Sequence, residues 1–529
     1  MFWILIVTYK CILVYINTCQ QNSEQRTKTE RQQVSNMVYW PTPQGGATTT
    51  AALPTPRTTT TTTTTLVCDL GSSTIKVGFA GQRTPELILP CVIGTPRTSS
   101  RENKSTTSSG AETGGDGVVL GPEALRRGTN YPPKIGYTYP MTTGHVQDWT
   151  AVELLLKHAL RTCLRRHHLQ HDDNDNADDY SSYNVLLTWP YNMTTKDLQQ
   201  LVELFLVTFG VRGLTLHKQA ALVLYAQGLD SGVVVELGET TTNLIPVYQG
   251  HALSHLDRTL PLGGRTLSTY LLQLLRRKGY PFLNERDARH VEFGRHLKER
   301  VCYAAYDPTI DDKLATDTTV LLESFPVPTE MLGTTTLPSA GTTITVGRER
   351  FSAVEALFAP SQTLLVNCGD NASGGLADMI FDLIQDADMD CRSDLYQHII
   401  LSGGTALLPG LQERVQKDIT HRYTNEVLRT GRNCTYTGGG GGVFSCDSSS
   451  SSSSLSPTSS FDSSSTSSSS SSLGWKPQVH TPKSRPHLVY EGAALFADYI
   501  AEDHRYWISR EEYVREGMQC IFDKCTVQK

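Results

Sequence analysis

The chain lacks a strong excess of either charge. Its 529 residues include 47 Lys and Arg against 53 Asp and Glu, which gives a net charge of −6. A basic surplus is the usual footprint of nucleic-acid binding, so overall charge does not favour that class. At this length a single core is not expected, and the sequence predicts two lobes.

The twelve cysteines lack the spacing of a metal site or a disulfide framework, because no two of them form a C-x-x-C pair. Cys68, Cys91 and Cys302 lie in apolar runs and are predicted to be reduced core residues. Reduced cysteines favour a cytoplasmic location.

A long membrane-spanning run is also missing from the N-terminal region. Residues 1–18 are apolar, but Lys10 interrupts them and the run is short for crossing a bilayer. A basic lead and a clear small-residue cleavage site, which a signal peptide needs, are not evident. We interpret this segment as a nonfunctional or wrongly assigned extension, with Met37 as an alternative start.

Low-complexity segments interrupt the remaining chain. Residues 48–65 are rich in Thr, 98–117 in Ser, Thr and Gly, and 171–179 in Asp. The Gly and Ser tract at 438–472 has too few apolar residues to bury a core, and we predict that it is disordered.

The first chemically informative stretch runs from Leu66 to Gly81. It reads as a buried strand, a tight polar turn at Gly71-Ser72-Ser73, and a second strand. Asp69 ends the first strand, and Lys76 supplies a positive charge in the second. Turn amides and Ser72 are suited to phosphate oxygens, although a purely structural hairpin has the same pattern.

A second hairpin, from Val233 to Tyr248, repeats the first. Glu236 corresponds to Asp69, and Gly238 corresponds to Gly71. Two acid-tipped hairpins predict a duplicated domain that holds one polyphosphate between two turns. Because Mg²⁺ is typically held by one or two carboxylates plus phosphate oxygens, Asp69 and Glu236 are candidate metal positions, acting through water.

A Gly-rich turn follows a third apolar strand, in the run from His398 to Thr405. Glycines at 403 and 404 permit close backbone approach to a ligand. Amides that face a ligand bind phosphate well.

These segments resemble the actin superfamily. The likeness extends over residues 66–517 with gaps, and it includes the run from Gln219 to Gly228 and the run from Lys298 to Tyr303. Further stretches resemble the actin-related subunits of the complex that nucleates branched actin filaments; they are His255 to Arg258, Lys313 to Ser324, and Ile384 to Ser393.

The resemblance implies an α/β, actin-like two-lobed fold, in which duplicated ribonuclease-H-like domains surround a nucleotide cleft. The first lobe would comprise residues 66–226 with 487–529, and its outer subdomain about 91–135. The second lobe would comprise residues 227–486, and its outer subdomain about 263–361. Residues 1–65 would precede both lobes as a low-complexity extension.

The resemblance also implies ATP and Mg²⁺ as ligands. Lys298 and Glu299 match positions that contact the nucleoside, Arg485 takes the place of a lysine beside the adenine, and Gln219 matches a water-positioning glutamine. The full implied set of nucleotide-binding residues is Asp69, Gly71, Ser72, Ser73, Lys76, Gly238, Glu239, Thr240, Gly264, Lys298, Glu299, Gly403, Gly404, Thr405 and Arg485.

The second hairpin departs from the family pattern. The family has aspartates at the positions of Glu236 and Glu239, a glycine at Thr240, and a histidine at Asn243. Misplacing a reacting group by ~1 Å can cost about 10²-fold in rate, and an asparagine does not act as a histidine-like acid or base. We therefore expect ATP binding with weak or absent hydrolysis.

Three functional classes follow. The preferred class is an ATP-bound structural subunit of the actin-branching complex, whose partners are actin filaments and the other subunits. A second is another divergent actin relative, of the conventional cytoskeletal or the nuclear chromatin-remodelling type. A third is a two-lobed phosphotransferase, which would need a free acid facing an acceptor pocket. No nucleic-acid partner or membrane insertion is expected.

Overall fold

The computed structural model describes residues 64–96, 118–128, 135–171, 179–190, 193–284, 287–327, 343–360, 374–428 and 476–525. Residues 1–63 of the N-terminal extension, the Ser/Thr/Gly insert at 98–117 and the tract at 438–472 lie outside the described residues. Among the helices that are described, none is long and apolar enough to cross a membrane.

Runs of strands and runs of helices follow one another along the described parts of the chain. The strands are β1 Thr65–Leu70, β2 Thr74–Phe79, β3 Leu87–Pro90, β4 Ile93–Pro96, β5 Val119–Leu120, β6 Ile135–Thr138, β7 Met141–Thr142, β8 His145–Val146, β9 Asn184–Trp189, β10 Gly213–Lys218, β11 Gly232–Leu237, β12 Thr242–Tyr248, β13 His251–Ala252, β14 Arg258–Leu260, β15 Glu323–Pro326, β16 Thr343–Val346, β17 Ile399–Ser402 and β18 Val479–His480. The α-helices are α1 Gly121–Gly128, α2 Trp149–His171, α3 Thr195–Glu203, α4 Gln219–Gln227, α5 Gly264–Lys278, α6 Ala288–Val301, α7 Pro308–Asp317, α8 Glu349–Glu355, α9 Leu376–Asp386, α10 Met389–Gln397, α11 Leu411–Arg422, α12 Leu488–Tyr499, α13 Arg510–Glu516 and α14 Gln519–Lys524.

The first lobe is built on a five-stranded sheet of order β10-β9-β1-β2-β3. Central strand β1 pairs antiparallel with β2 and parallel with β9. All six residues of β1 are buried, since α2 packs on one face of the sheet while α4 and α12 pack on the other. A continuous apolar run is typical of a strand that is covered on both faces.

The second lobe repeats this arrangement in a six-stranded sheet. Its central strand β11 pairs antiparallel with β12 and parallel with β17, and β17 pairs parallel with β18. The same order of an antiparallel hairpin followed by parallel strands confirms the α/β fold and the repeated hairpins predicted from the sequence. The exact lobe and subdomain boundaries stay predictions.

The two lobes share a helical junction. Helix α4 follows the first sheet and packs against α12, which returns near the end of the chain. At Gly492 a Cβ atom would lie 1.8 Å from the carbonyl oxygen of Leu222, so the two helices touch through their backbones. Because α4 also contacts β11 and α12 contacts β1, this helix pair lies between the two sheets.

Three cysteines predicted to lie in the core do so. Cys68, Cys91 and Cys302 are buried and form no disulfide. Burial raises the pKa of the Cys91 and Cys302 thiols to about 12, which keeps them protonated at neutral pH.

The turn between β7 and β8 offers a test of backbone strain. Thr143 and Gly144 both have positive φ, of 52° and 82°, which is unfavourable for a β-branched residue. Asn is favoured at that first position of a two-residue hairpin. We expect Thr143→Asn to raise the free energy of unfolding by about 1 kcal/mol, measured by urea denaturation.

The matched control is Gln249→Asn in the turn between β12 and β13, where Gln249 has φ of 50° but no branched Cβ. Its gain should be smaller. Equal gains, or destabilisation by Thr143→Asn, would contradict the strain argument.

Candidate functional site

The two predicted hairpin turns have the same hydrogen bond. The amide of Gly71 donates to the carbonyl of Thr74 at 3.2 Å, and the amide of Gly238 donates to that of Thr241 at 3.0 Å. Both turns face one cavity of about 470 Å³ between the lobes, which we call the cleft. Its lining includes Asp69, Gly71, Ser72, Ser73, Thr74, Lys76, Ile88, Gln219, Glu236, Gly238, Glu239, Arg295, Lys298, Glu299, Ser402, Gly403, Gly404, Thr405, Leu407, Leu408, Pro486, His487 and Val489.

Asp69 is the centre of the first-lobe wall. The residue is 2% exposed. One oxygen accepts from Lys76 Nζ at 2.7 Å, and the other accepts from Thr188 Oγ1 at 2.6 Å and Gln219 Nε2 at 3.1 Å. Lys76 and Gln219 were predicted site residues, whereas Thr188 was missed. The missed contact has a simple origin, because Thr188 pairs with Asp69 across the parallel strands β9 and β1.

Glu236 occupies the corresponding place in the second lobe, where the described residues form no direct ion pair with it. It is 9% exposed, and its Oε1 atom has no hydrogen-bond partner among the described residues. Burial, with a smaller contribution from the Asp69 charge, raises the pKa of Glu236 to about 7, while a hydrogen bond from Asn243 and the charge of Lys76 act in the opposite direction.

Asn243 lies opposite Glu236 in the β11–β12 register and also accepts from Thr259 Oγ1 at 3.2 Å. Asn243 does not line the cleft directly. It is placed to orient Glu236.

Glu239 and Lys298 form the wall beyond the second turn. Lys298 Nζ is buried and donates to the carbonyl of Gly264 at 2.7 Å. Burial raises the pKa of Glu239 and lowers that of Lys298, and the charge of each opposes the shift of the other. A Cβ on Gly264 would lie 2.7 Å from Glu239 Oε2 and 2.8 Å from Lys298 Nζ, so Gly264 backs this wall rather than lining it.

The Gly-rich turn closes the cleft on the side of β17. Gly403 has φ of 95°, and a Cβ there would lie 2.3 Å from the carbonyl of Leu237. A Cβ on Gly404 would meet no atom within 4 Å, which leaves the backbone open to a ligand. Thr405 Oγ1 donates to the carbonyl of Gly238 at 2.8 Å and ties this turn to the second hairpin.

Glu299 lines the cleft as predicted, but it is paired with a residue that sequence reasoning missed. Arg295 Nη1 contacts Glu299 Oε1 at 2.8 Å, and the same guanidinium contacts Glu292. Helical i, i+3 and i, i+4 spacing along α6 is the signal from which this pairing could have been found.

Arg485 is not among the residues that line the cleft, and its place beside a base stays a prediction. Its Nη1 atom points to the carbonyls of Thr481 and Pro482, while its own carbonyl accepts from the amide of Gly403 at 3.0 Å. Pro486 and His487 line the cleft instead. Thr240 is also absent from the lining.

Asp69 and Glu236 fit a cation that takes most of its ligands from water and phosphate rather than from the protein. Among the described residues no group of three or more His, Cys, Asp or Glu side chains is arranged to hold a metal. Glu236 has the orphaned buried oxygen, and Asp69 already accepts three hydrogen bonds. This donor set suits Mg²⁺ held through water, with phosphate oxygens completing its shell.

Comparison with known proteins gives a consistent result. The sequence model of the Actin family matches residues 60–526. Actin-related protein 2 of Arabidopsis thaliana is 31% identical over 459 residues, covering 86% of this chain and 97% of that protein. Actin-related protein 2 of Oryza sativa subsp. japonica is 31% identical over 463 residues, with 86% and 97% coverage. Actin-related protein 2 of Saccharomyces cerevisiae is 30% identical over 452 residues, with 85% and 96% coverage.

The raised pKa of Glu236 predicts a pH dependence of stability. Between its ordinary pKa of 4.5 and about 7, the unfolded chain ionises this carboxyl while the folded chain keeps it protonated. Stability is therefore lost as pH rises through this window, by on the order of 3 kcal/mol. Glu236→Gln should remove that loss in denaturant titrations without Mg²⁺ between pH 5 and 8.

Glu426→Gln removes a carboxylate that is 50% exposed and controls for net charge. If wild type and Glu236→Gln lose stability in parallel over this range, the environment assigned to Glu236 is wrong.

Proposed function

The chain belongs to the actin family, and from this premise we propose that it binds Mg-ATP and serves as the actin-related subunit of the complex that nucleates branched actin filaments. The observation that carries the proposal is the pair of matching hairpin turns on one cleft, together with likeness to proteins named actin-related protein 2. The implied location is the cytoplasm and its cytoskeleton.

The cleft supports nucleotide binding by its size and its donors. A cavity of about 470 Å³ lies within the range of small-molecule pockets. Ser72, Lys76 and the open backbone at Gly404 would hold the phosphates, while Lys298 and Glu299 would contact the nucleoside. Bound Mg²⁺, held through water by Asp69 and Glu236, would neutralise phosphate charge.

The same residues support a template rather than a fast ATPase. Gln219 donates to Asp69 and Thr188, so its amide is already engaged. Glu236 would need to lose its proton before acting as a base at neutral pH. Templating, in contrast, needs only a filled cleft that holds the lobes together and an actin-like surface.

ATP binding predicts a ligand-induced gain in stability. Mg-ATP at ~100-fold above Kd should add about 2.7 kcal/mol, because it binds only the native state. Asp69→Ala should abolish the shift between melts with and without Mg-ATP, whatever it does to the unliganded melt. Asp386→Ala, which removes a surface partner of Arg258, should retain the shift. A wild-type melt that does not move would reject the site.

If hydrolysis is weak because of the altered residues, restoring the residues of the family pattern should raise the rate of ATP hydrolysis. Wild-type protein should hydrolyse ATP in a single turnover much more slowly than filamentous actin does. The triple variant Glu236→Asp, Glu239→Asp, Asn243→His should be about 10²-fold faster, since it repositions the groups near the attacking water. Wild-type hydrolysis at the rate of filamentous actin would overturn this part of the proposal.

Templating is tested by pyrene-actin assembly with the complete complex carrying this chain and an added activator. We expect faster assembly than with the same complex lacking this subunit. Equal rates, with every other subunit present, would reject the nucleation function and leave the family assignment intact.

A further inference from the structure

One side-chain contact crosses from the second lobe to the first. The guanidinium carbon of Arg265, at the start of α5, lies 3.8 Å from the ring centre of Tyr139, which stands between β6 and β7. Neither residue lines the cleft. The contact therefore joins the lobes beside the ligand space rather than within it.

Arg265 is also fixed to the turn of the second hairpin. Its amide donates to the carbonyl of Glu239 at 2.8 Å, and its Nε lies 3.8 Å from Glu239 Oε1. A Cβ on Gly263 would come within 2.6 Å of the Glu239 backbone, so the turn and the start of α5 are in direct contact. Glu239 itself lines the cleft.

The surroundings of this contact are partly shielded from water. The side chains of Arg265 and Glu239 are 24% and 15% exposed. Burial raises the pKa of Tyr139, with Arg265 lowering it and Glu292 of α6 raising it. A cation held on an aromatic face in such a site is attracted more strongly than at an open surface.

We propose that Arg265 is a positioning residue that ties the second hairpin, through Glu239, to Tyr139 of the first lobe, and so slows the escape of bound nucleotide. The inference rests on the nucleotide binding proposed above. On this proposal the side chain of Glu239, which is longer than the aspartate of the family pattern, is part of a link between the lobes. Loss of a cation–π contact of this kind is expected to change the rate of nucleotide release about tenfold.

The test is the release rate of etheno-ATP from the full chain in Mg²⁺, chased with ATP. Arg265→Met and Tyr139→Leu should each release nucleotide about tenfold faster. The double variant should match either single variant, because each substitution removes the same contact between Arg265 and Tyr139. Tyr139→Phe keeps the ring and should retain the wild-type rate. Arg258→Met, which removes a surface ion pair of the same lobe, is the matched control.

Two release results would overturn the inference. One is an unchanged release rate in Tyr139→Leu, which would mean that the contact of Arg265 with the first lobe has no effect on nucleotide release. The other is a double variant whose effect is the product of the single effects, about 100-fold, which would make the two residues independent.

A second measurement separates this inference from the proposed function. In nucleotide-free protein, amide hydrogen exchange over β6 should be faster in Arg265→Met than in wild type or Arg258→Met. If the wild type binds no etheno-ATP, the proposed nucleotide binding is rejected, and hydrogen exchange alone decides whether the link between the lobes exists. Unchanged exchange in β6 would overturn that link.

Discussion

The cleft depends on the hydrogen bonds that the buried carboxylate of Asp69 accepts. Asp69 itself lies near the end of the central strand β1, and it joins four elements because its partners Lys76, Thr188 and Gln219 lie on β2, β9 and α4. Removing one partner of a buried ion pair typically costs 3–5 kcal/mol, since the remaining charge is left uncompensated. The constraint therefore sets the positions of the first turn and of the helix that leads to the second lobe.

The second lobe repeats the geometry without repeating the charge balance. Glu236 stands at the end of the equivalent strand, but its neighbours are Asn243 and Ser402 rather than a lysine. Lys76 pairs directly with Asp69 and only partly offsets the raised pKa of Glu236, so a cation supplied with the ligand would add positive charge beside Glu236. This asymmetry supports the proposal that the chain binds nucleotide and acts as a template rather than hydrolysing ATP rapidly.

The hairpins and the Gly-rich turn could be predicted from sequence because their signals are local. Apolar runs broken by Gly and Ser fixed the strands, and Gln219 opens α4 as expected. Thr188 and Ser402 were missed because their roles depend on parallel pairing between distant strands. The direction of the Arg485 side chain, whose Nη1 atom lies near the carbonyls of Thr481 and Pro482, could not be predicted either, because a resemblance gives the position of a residue but not its rotamer. The contact of Arg265 with Tyr139 likewise arises only when the two lobes are brought together.

The central claim, that this actin-family chain works as a subunit of the branching complex, is tested most directly by co-purification. The full chain, tagged at its C-terminus and expressed at its natural level in its own cells, would be isolated in Mg-ATP and its partners quantified by mass spectrometry. The account predicts recovery of the other branching-complex subunits in equal amounts, and their loss from the Asp69→Ala chain. Recovery of the wild-type chain alone, or with chromatin-remodelling subunits in their place, would contradict it.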